Sequence, residues 1–248
     1  MTLLEARNLK KRFGGVQAVA GVDLEVRAGE VVGLIGPNGA GKTTTFNLIA
    51  GALLPDEGSV RFLGRDVTRW PAHRRAHLGI ARTFQIPQPL AELSVLENVL
   101  VPLARAALRR VLPLGPYRRP ERIARARELL VRVGLEAHAE QPAGRLPLGM
   151  KKRLEVARAL ALEPRLLLLD EPLAGLTLRE AEGILELIAG LREGIGVVLV
   201  EHNVRLALGV CDRAVVMDAG RVIAAGPPEA VKRDPRVIRA YLGEEADA

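Results

Sequence analysis

A run of eight residues has the composition and spacing of a phosphate-binding loop. Residues 36–43 read Gly-Pro-Asn-Gly-Ala-Gly-Lys-Thr and fit the pattern G-x-x-x-x-G-K-[ST]. Glycines let backbone N–H groups turn inward, the Lys42 ammonium can reach the β- and γ-phosphates, and the Thr43 hydroxyl suits Mg²⁺. An ordinary glycine turn is the alternative. We predict an ATP and Mg²⁺ site whose nucleotide contacts come from Gly36, Pro37, Asn38, Gly39, Ala40, Gly41, Lys42, Thr43 and Thr44.

Two adjacent acids form the second chemical signal. Asp170 and Glu171 directly follow the apolar run Leu166–Leu169. Carboxylates at the end of a buried strand are costly unless a cation or a proton partner meets them. In a phosphate-loop protein, Asp170 would hold Mg²⁺, directly or through water, and Glu171 could polarise the attacking water as a general base. The alternative is a strand exit with two solvated acids.

The elements around these residues predict an α/β fold. Val31–Ile35 reads as a buried strand entering the loop, and Thr43–Ala52 reads as a helix leaving it. Leu166–Leu169 and Val197–Val200 read as further buried strands, and strands alternating with helices favour a mostly parallel sheet covered on both faces. The remaining expectations are short strand-like segments within 1–30, a short strand within 55–65, a hairpin over Ala214–Ala225 and a C-terminal helix over Pro228–Leu242.

A helical block interrupts this alternation. Leu93–Leu108, Arg122–Val133 and Gly149–Leu162 show helical apolar spacing, and prolines punctuate the gap between the first two. We therefore expect an ATP-binding core formed by residues 1–87 and 161–248. The inserted helical subdomain would span residues 88–160.

Composition limits the remaining functions. The net charge is +7, but aromatic residues make up only 3% and do not alternate with basic ones, which disfavours nucleic-acid binding. The densest basic stretch, Arg109–Arg132, is either a solvated helix face or a contact with lipid headgroups or a membrane partner. No apolar run reaches the ~18–20 residues of a membrane span, and the N-terminus lacks the apolar core of a secretion signal. The single cysteine, Cys211, is interpreted as a buried apolar residue.

Five further positions follow one another in the order typical of a known family. The chain resembles the ATP-binding subunits of ABC transporters over essentially its whole length. The matching positions are Phe13, Gln85 after Ala81-Arg82-Thr83-Phe84, the loop Leu146–Met150, the loop Leu173–Thr177, and His202. Any one of them alone would be uninformative, and their common order carries the resemblance. It implies a RecA-like P-loop NTPase core, an antiparallel β subdomain and an inserted helical subdomain.

The resemblance also implies roles for these residues. Phe13 would stack on adenine, Gln85 would sense Mg²⁺ and water, and His202 would contact the γ-phosphate. The loop Leu146–Met150 corresponds to the family's signature loop, and its Leu146 and Gly149 would contact the nucleotide bound by the partner in a head-to-tail dimer. The loop Leu173–Thr177, here called the dimer loop, would also lie at the dimer contact. The implied catalytic set is Lys42, Gln85, Glu171 and His202, and the implied metal set is Thr43, Gln85 and Asp170.

Partners and location are implied in the same way. The implied partners are transmembrane permease subunits, which the segment 86–90 would contact, and a second ATP-binding subunit, either another copy of this chain or a different one. An extracytoplasmic solute-binding protein would be an indirect partner. The implied location of the chain is the cytoplasmic face of the plasma membrane.

Finer features resemble one subgroup, the ATPases of branched-chain amino-acid importers. They are Arg12-Phe13-Gly14-Gly15, Ala81–Gln85, the proline-punctuated insert near 110–120 and the ending Asp234–Gly243. Alternatives are an ATPase that extracts lipopolysaccharide, a regulatory subunit with low turnover, and a soluble ATPase acting on nucleic acid or ribosomes. The transported molecule is not encoded in these residues.

The signature loop departs from the family pattern Leu-Ser-x-Gly-Gln. Pro147 replaces the serine and Met150 replaces the glutamine, while Gly149 remains. Thr177 replaces the acid or amide usual in the dimer loop. Losing one charge-assisted hydrogen bond, worth about 1.5–3 kcal/mol, would slow the partner's site about tenfold or more. The alternative is that these substitutions are tolerated with full activity.

Overall fold

The computed structural model describes residues 1–104, 118–192 and 194–246, which divide into two compact units. The core unit comprises Met1–Arg82, Arg165–Glu171 and Ile188–Ala248, and the helical unit comprises Thr83–Pro164 and Pro172–Leu187. The strands are β1 Thr2–Phe13, β2 Val16–Arg27, β3 Val31–Ile35, β4 Glu57–Phe62, β5 Arg65–Asp66, β6 Ile80–Arg82, β7 Leu166–Asp170, β8 Gly196–Glu201, β9 Arg213–Asp218 and β10 Arg221–Gly226. The helices are α1 Lys42–Ala50, α2 Ala72–Leu78, α3 Val95–Leu103, α4 Pro120–Arg132, α5 Leu148–Leu160, α6 Leu178–Ala189, α7 Val204–Leu208, α8 Pro228–Lys232 and α9 Pro235–Ala246.

A six-stranded sheet carries the core unit. Its order is β10-β9-β3-β8-β7-β6, with β6, β7, β8, β3 and β9 parallel and β10 antiparallel at one edge. Every residue of β3, β7 and β8 is buried, which explains why these strands read as continuous apolar runs. The predicted parallel sheet and the predicted hairpin of β9 and β10 are confirmed.

A second, antiparallel sheet has the order β2-β1-β4-β5. The expectation of short strand-like segments in residues 1–30 is wrong. Two strands of twelve residues each, β1 and β2, are joined by the turn at Gly14-Gly15. Several register shifts interrupt their pairing, so the inward and outward alternation breaks and one strand reads as several pieces.

One hydrophobic cluster fills the core unit. It joins buried side chains of β1, β2, α1 and β4 to alternate residues of the parallel strands, such as Leu34, Leu168 and Val198. The single C-terminal helix predicted over Pro228–Leu242 is wrong, because α8 and α9 are separate helices divided at Arg233-Asp234. Pro235 disfavours a helical conformation at the residue before it, so one helix ends before Asp234 and the next begins at Pro235.

Three helices, α3, α4 and α5, pack against one another in the helical unit. A capping box at Ser94 and Glu97 starts α3 two residues after the predicted start, and the predicted end at Leu108 lies outside the described residues. In the described part of the basic stretch, Arg118, Arg125 and Arg127 form ion pairs with Glu97, Glu128 and Glu140. Among the residues with described positions, no helix is long and apolar enough to cross a bilayer.

Candidate nucleotide site

Three neighbouring parallel strands end at the same edge of the core sheet. Ile35 of β3 pairs with Glu201 of β8, and Val200 of β8 pairs with Asp170 of β7. The residues that follow these strands therefore emerge side by side. They are the phosphate loop after Ile35, His202 after Glu201, and Glu171 after Asp170. Loops at the carboxyl ends of parallel strands are the usual place for ligand sites in α/β folds.

Glycines at both ends of the phosphate loop are required by close backbone approaches. A Cβ added at Gly36 would lie 2.1 Å from the Met217 carbonyl oxygen. One added at Gly41 would lie 2.3 Å from the Ala18 carbonyl oxygen, and Gly41 also has φ +94° as the residue that precedes α1. The N-cap residue Gly41 has no side chain to cap this end of α1, and a helix N-terminus is a favourable place for an anion.

The Lys42 ammonium lies under the loop. Its Nζ donates to the carbonyl oxygens of Gly36 at 2.6 Å and Pro37 at 2.8 Å, and the side chain is 5% exposed. Such partners hold a buried ammonium in place close to the loop. Thr43, the next residue, is exposed in the first turn of α1 and Thr44 is half-buried. Of the loop residues between the glycines, Pro37 and Ala40 are buried, while Asn38 and Gly39 are exposed.

Asp170 is a buried carboxylate at the end of β7. Burial raises its pKa, while the Arg82 guanidinium, with Nη2 3.9 Å from Asp170 Oδ2, acts in the opposite direction. Arg82 is itself held in place, because its Nη1 donates to Asn47 Oδ1 at 2.9 Å and its guanidinium lies 5.2 Å from the Phe46 ring centroid. A cation therefore already partly neutralises this carboxylate within the core unit.

Glu171 adopts an unusual backbone conformation. Its φ is +44°, a region that non-glycine residues rarely occupy, and its N–H donates to the Val200 carbonyl at 3.0 Å. Its carboxylate is 15% exposed and its Oε2 lies 4.0 Å from Nδ1 of His202, whose side chain is half exposed. Strained backbone of this kind clusters at functional sites. The structure thus brings together two of the residues predicted to act on the terminal phosphate.

Phe13 lies at the tip of the hairpin formed by β1 and β2. Its ring is 47% exposed, and Lys11 Nζ lies 5.8 Å from the ring centroid. The same hairpin contributes the Ala18 carbonyl that approaches Gly41, so it reaches the phosphate loop. An exposed aromatic ring on this hairpin is available for stacking on a flat base.

The remaining predicted site residues belong to the helical unit. Gln85 is exposed, Leu146 is buried, and Gly149 is buried in the first turn of α5. Helix α5 begins at Leu148, one residue before the predicted start, which makes Pro147 its N-cap residue. Proline has no side-chain acceptor, so the N-cap residue offers no side-chain hydrogen bond to the first N–H groups of α5.

Thr177, the last residue of the loop Leu173–Thr177, starts the helix that follows. Its hydroxyl donates to Glu180 Oε2 at 2.7 Å and its N–H donates to the same oxygen at 3.0 Å. The Glu180 N–H donates to the Thr177 hydroxyl at 3.4 Å, which completes a capping box at the start of α6. The other carboxylate oxygen of Glu180 would lie 2.8 Å from a Cβ added at Gly149, so a side chain at Gly149 would disturb this contact.

Two groups important to this site have no recognisable pattern in the sequence. Arg82 lies within the segment Ala81–Gln85 that carries the resemblance, but nothing local gives Arg82 or Asn47 a role. Their contacts join residues 35 to 88 positions apart in the chain. A buried carboxylate at residue 170 does imply a nearby cation, but sequence alone does not say which of 36 basic residues supplies it.

The available ligand atoms suit Mg²⁺. Asp170 offers a carboxylate that burial has already desolvated, and Thr43 offers a hydroxyl next to the phosphate loop. Mg²⁺ prefers oxygen ligands and is commonly held by one or two protein groups together with phosphate oxygens. This fit rests on the chemistry of the two side chains.

The sheet, the loop after β3 and the acids after β7 define the class of P-loop nucleotide-binding proteins. The family described as "ABC transporter" matches residues 19–174, and the family described as "Branched-chain amino acid ATP-binding cassette transporter" matches residues 221–247. The high-affinity branched-chain amino acid transport ATP-binding protein LivG of Salmonella typhimurium is 42% identical, with 98% of each chain covered. The lipopolysaccharide export system ATP-binding protein LptB of Acidithiobacillus ferridurans is also 42% identical, again with 98% of each covered.

A solved structure agrees with these sequence relatives. MJ1267, an ATP-binding cassette of an ABC transporter crystallised in its ADP conformation, superposes with a TM-score of 0.87 at 34% identity. The superposition covers 98% of this chain and 99% of MJ1267. The chain belongs to the ATP-binding cassettes of ABC transporters, a family of ATP-hydrolysing enzymes. The predicted fold class and the predicted ATPase class are confirmed.

Proposed function

We propose that this chain is the ATP-hydrolysing subunit of an ABC importer for branched-chain or other hydrophobic amino acids. The observation that carries the proposal is the match of residues 221–247 to the branched-chain amino acid cassette family. This match covers β10, α8 and α9, which lie outside the nucleotide-binding elements described above. Similarity confined to ATP chemistry would not extend to this C-terminal segment.

The site residues divide the work of ATP hydrolysis among them. The loop amides and Lys42 hold the triphosphate, and Phe13 stacks on adenine. Bound Mg²⁺, held by Thr43 and Asp170 with help from Gln85, would neutralise charge on the phosphates. Glu171 accepts a proton from the attacking water, and His202 orients the γ-phosphate from beside Glu171. Arg82 opposes the rise in the pKa of Asp170 that burial causes, with its guanidinium 3.9 Å from the carboxylate.

The working form proposed here is a head-to-tail dimer, made of two copies or of this chain and a related ATPase. Each ATP would lie between one chain's phosphate loop and the Leu146 and Gly149 end of the partner's signature helix. Residues 88–160 would act as the signature subdomain that moves when the dimer closes on ATP. Closure driven by ATP requires that ATP bind the closed state more tightly than the open state.

The segment Ile86–Leu90 is proposed to contact the permease subunits. We extend it by Phe84 and Gln85 and call Phe84–Leu90 the docking segment. Its side chains Phe84, Ile86 and Leu90 are 54%, 73% and 40% exposed, an unusual density of exposed apolar groups for seven residues. A short helix of a membrane subunit with an apolar face fits such a surface. The chain would then lie at the cytoplasmic face of the plasma membrane, and a solute-binding protein would act on the opposite side.

Deletion of the gene in its own host tests this function. We expect the mutant to lose ATP-dependent uptake of radiolabelled leucine, isoleucine or valine, because no motor drives the permease. The intact gene should restore uptake, and an allele carrying Glu171→Gln should not. Uptake that is unchanged for all three amino acids would contradict the importer assignment.

Lipopolysaccharide extraction is the second candidate, because LptB proteins match this chain as well as LivG proteins do. The same deletion strain separates the two. Normal amino-acid uptake together with loss of lipopolysaccharide from the cell surface would favour extraction.

The signature loop leads to a prediction about rate. We expect Pro147→Ser with Met150→Gln to raise ATP turnover about tenfold, because a hydroxyl would return to the phosphate-facing end of α5. Serine is also a better N-cap than proline, so the helix start should gain about 1 kcal/mol of stability. Steady-state phosphate release measures the rate.

The two single variants show which substitution causes the rise in ATP turnover. Met150→Gln alone lacks the hydroxyl and should give a smaller gain than Pro147→Ser alone. A double variant no faster than the native chain would show that the native loop is fully active. A low-turnover regulatory role is less well supported than an active ATPase, because Glu171 and His202 lie together at the sheet edge.

A further inference from the structure

The docking segment combines exposed side chains with a firmly held backbone. Its apolar side chains face solvent, yet its main chain is bonded by polar side chains from α3 and α5. Pro87 and Pro89 flank Gln88, which restricts the backbone and leaves Gln88 with the only N–H group between Ile86 and Leu90. A loop that needed only to be flexible would not require these constraints.

Glu155 of α5 bonds the start and the middle of the segment. Its carboxylate accepts hydrogen bonds from the backbone N–H groups of Gln88, at 3.4 Å from Oε1, and of Phe84. The residue is 7% exposed, and burial raises its pKa while these two hydrogen bonds lower it. A buried carboxylate is costly unless such donors meet it, so its position is tied to the segment.

Arg158, one turn further along α5, bonds the same residue from its other side. Its Nη1 donates to the Gln88 carbonyl at 2.8 Å. Both backbone groups of Gln88 are therefore bonded to a single helix. At the end of the segment, fully buried Asn98 of α3 accepts from the Leu90 N–H at 2.8 Å and donates to the Leu90 carbonyl at 3.0 Å.

Helix α5 begins at the signature loop and carries both residues in its next turns. We infer that Glu155 and Arg158 are positioning residues that make the docking segment and the signature helix move as one body. A displacement of α5 at the dimer contact would then shift Phe84, Ile86 and Leu90 directly. The inference deepens the proposed function, because it rests on this segment being the contact with the permease.

Hydrogen exchange of the purified chain tests the connection without any partner. Glu155→Leu removes the acceptor at similar size, and we expect exchange in a peptide covering 83–90 to accelerate about tenfold. Glu155→Gln keeps one acceptor oxygen, so its exchange rate in this peptide should lie between those of the native chain and Glu155→Leu. The matched control is Glu128→Leu, the same change at an exposed glutamate of α4, which should leave this peptide unchanged.

A reconstituted transporter tests the functional consequence. Glu155→Leu and Arg158→Met should lower the number of molecules transported per ATP hydrolysed about tenfold or more, with ATP affinity unchanged. Arg158→Lys retains a donor, so its number of molecules transported per ATP should lie between those of Arg158→Met and the native chain. A loss of folding alone would lower ATP binding and transport together and would not change the ratio selectively.

Two results would overturn the inference. One is exchange in the 83–90 peptide that matches the native chain in both Glu155→Leu and Arg158→Met. The other is accelerated exchange with an unchanged ratio of transport to hydrolysis. A native chain that drives no amino-acid uptake would refute the proposed importer, and the exchange experiment would still decide whether α5 holds the segment.

Discussion

Glu171→Gln should lower ATP turnover by about 10²–10⁴-fold while leaving MgATP binding intact. The substitution keeps the size of the side chain but removes the carboxylate that can accept a proton from water. Glu171 lies within 4.0 Å of His202, at the edge where the phosphate loop also emerges. The groups that hold the triphosphate, above all Lys42 with its two loop carbonyls, are unchanged. Phosphate release measures turnover and isothermal titration calorimetry measures binding.

Glu182→Gln is the matched control for this experiment. It makes the same chemical change at an exposed glutamate of α6 and should leave both quantities within twofold. If Glu171→Gln retained more than a tenth of native turnover, another group would have to act as the base. Equal losses of turnover and binding would instead indicate a disturbed loop, since φ +44° at this residue is already strained.

The phosphate loop could be predicted from sequence because its determinants are local. Glycines, a lysine and a threonine at fixed spacing between a buried strand and a helix specify both the turn and its ligand. The strands β3, β7 and β8 were predictable for a similar reason, since a strand buried on both faces is apolar along most of its length. In each case a short run of residues carries the whole signal.

Long-range and irregular features could not be predicted in this way. The pairing of Arg82 with Asp170 depends on β6 lying beside β7, which no local pattern specifies. Register shifts hid the length of β1 and β2, and the short elements α2 and β6 offered too few residues for a periodic pattern. The capping box of Thr177 and Glu180 does have a local pattern, T-x-x-E, which explains Thr177 by the helix that it starts.

Arg75 is the residue whose structural role the sequence hides most completely. It is fully buried at the C-terminal end of α1, the helix that follows the phosphate loop. Its guanidinium donates to the carbonyl oxygens of Leu48 and Ile49, both at 2.7 Å, and of Trp70 and Thr68, both at 3.0 Å. Burial lowers its pKa to about 10, so it remains charged at neutral pH, where a cation at a helix C-terminus is favourable.

Arg75→Met should lower the free energy of unfolding by about 4 kcal/mol. Methionine can fill part of the space, but four backbone carbonyls lose the guanidinium donor, although that of Leu48 keeps the Gly51 N–H at 3.4 Å. Carbonyls buried in this way cost roughly 1–3 kcal/mol each before the surroundings relax. For a chain of this length, a loss of that size corresponds to a fall of about 8–16 °C in the melting temperature. Circular dichroism during thermal and urea unfolding measures both.

The neighbouring residue supplies the control. Arg74 lies beside Arg75 on α2 and is exposed, so Arg74→Met removes the same charge and should change stability by less than about 0.5 kcal/mol. The free energy of unfolding of Arg75→Lys should lie between those of Arg74→Met and Arg75→Met. An ammonium has three donors and lacks the planar fork of a guanidinium, so it cannot reach all four carbonyls. Equal stability of Arg74→Met and Arg75→Met would mean that water replaces the guanidinium at no cost. Helix α1 would then not depend on Arg75 to satisfy its C-terminal carbonyls.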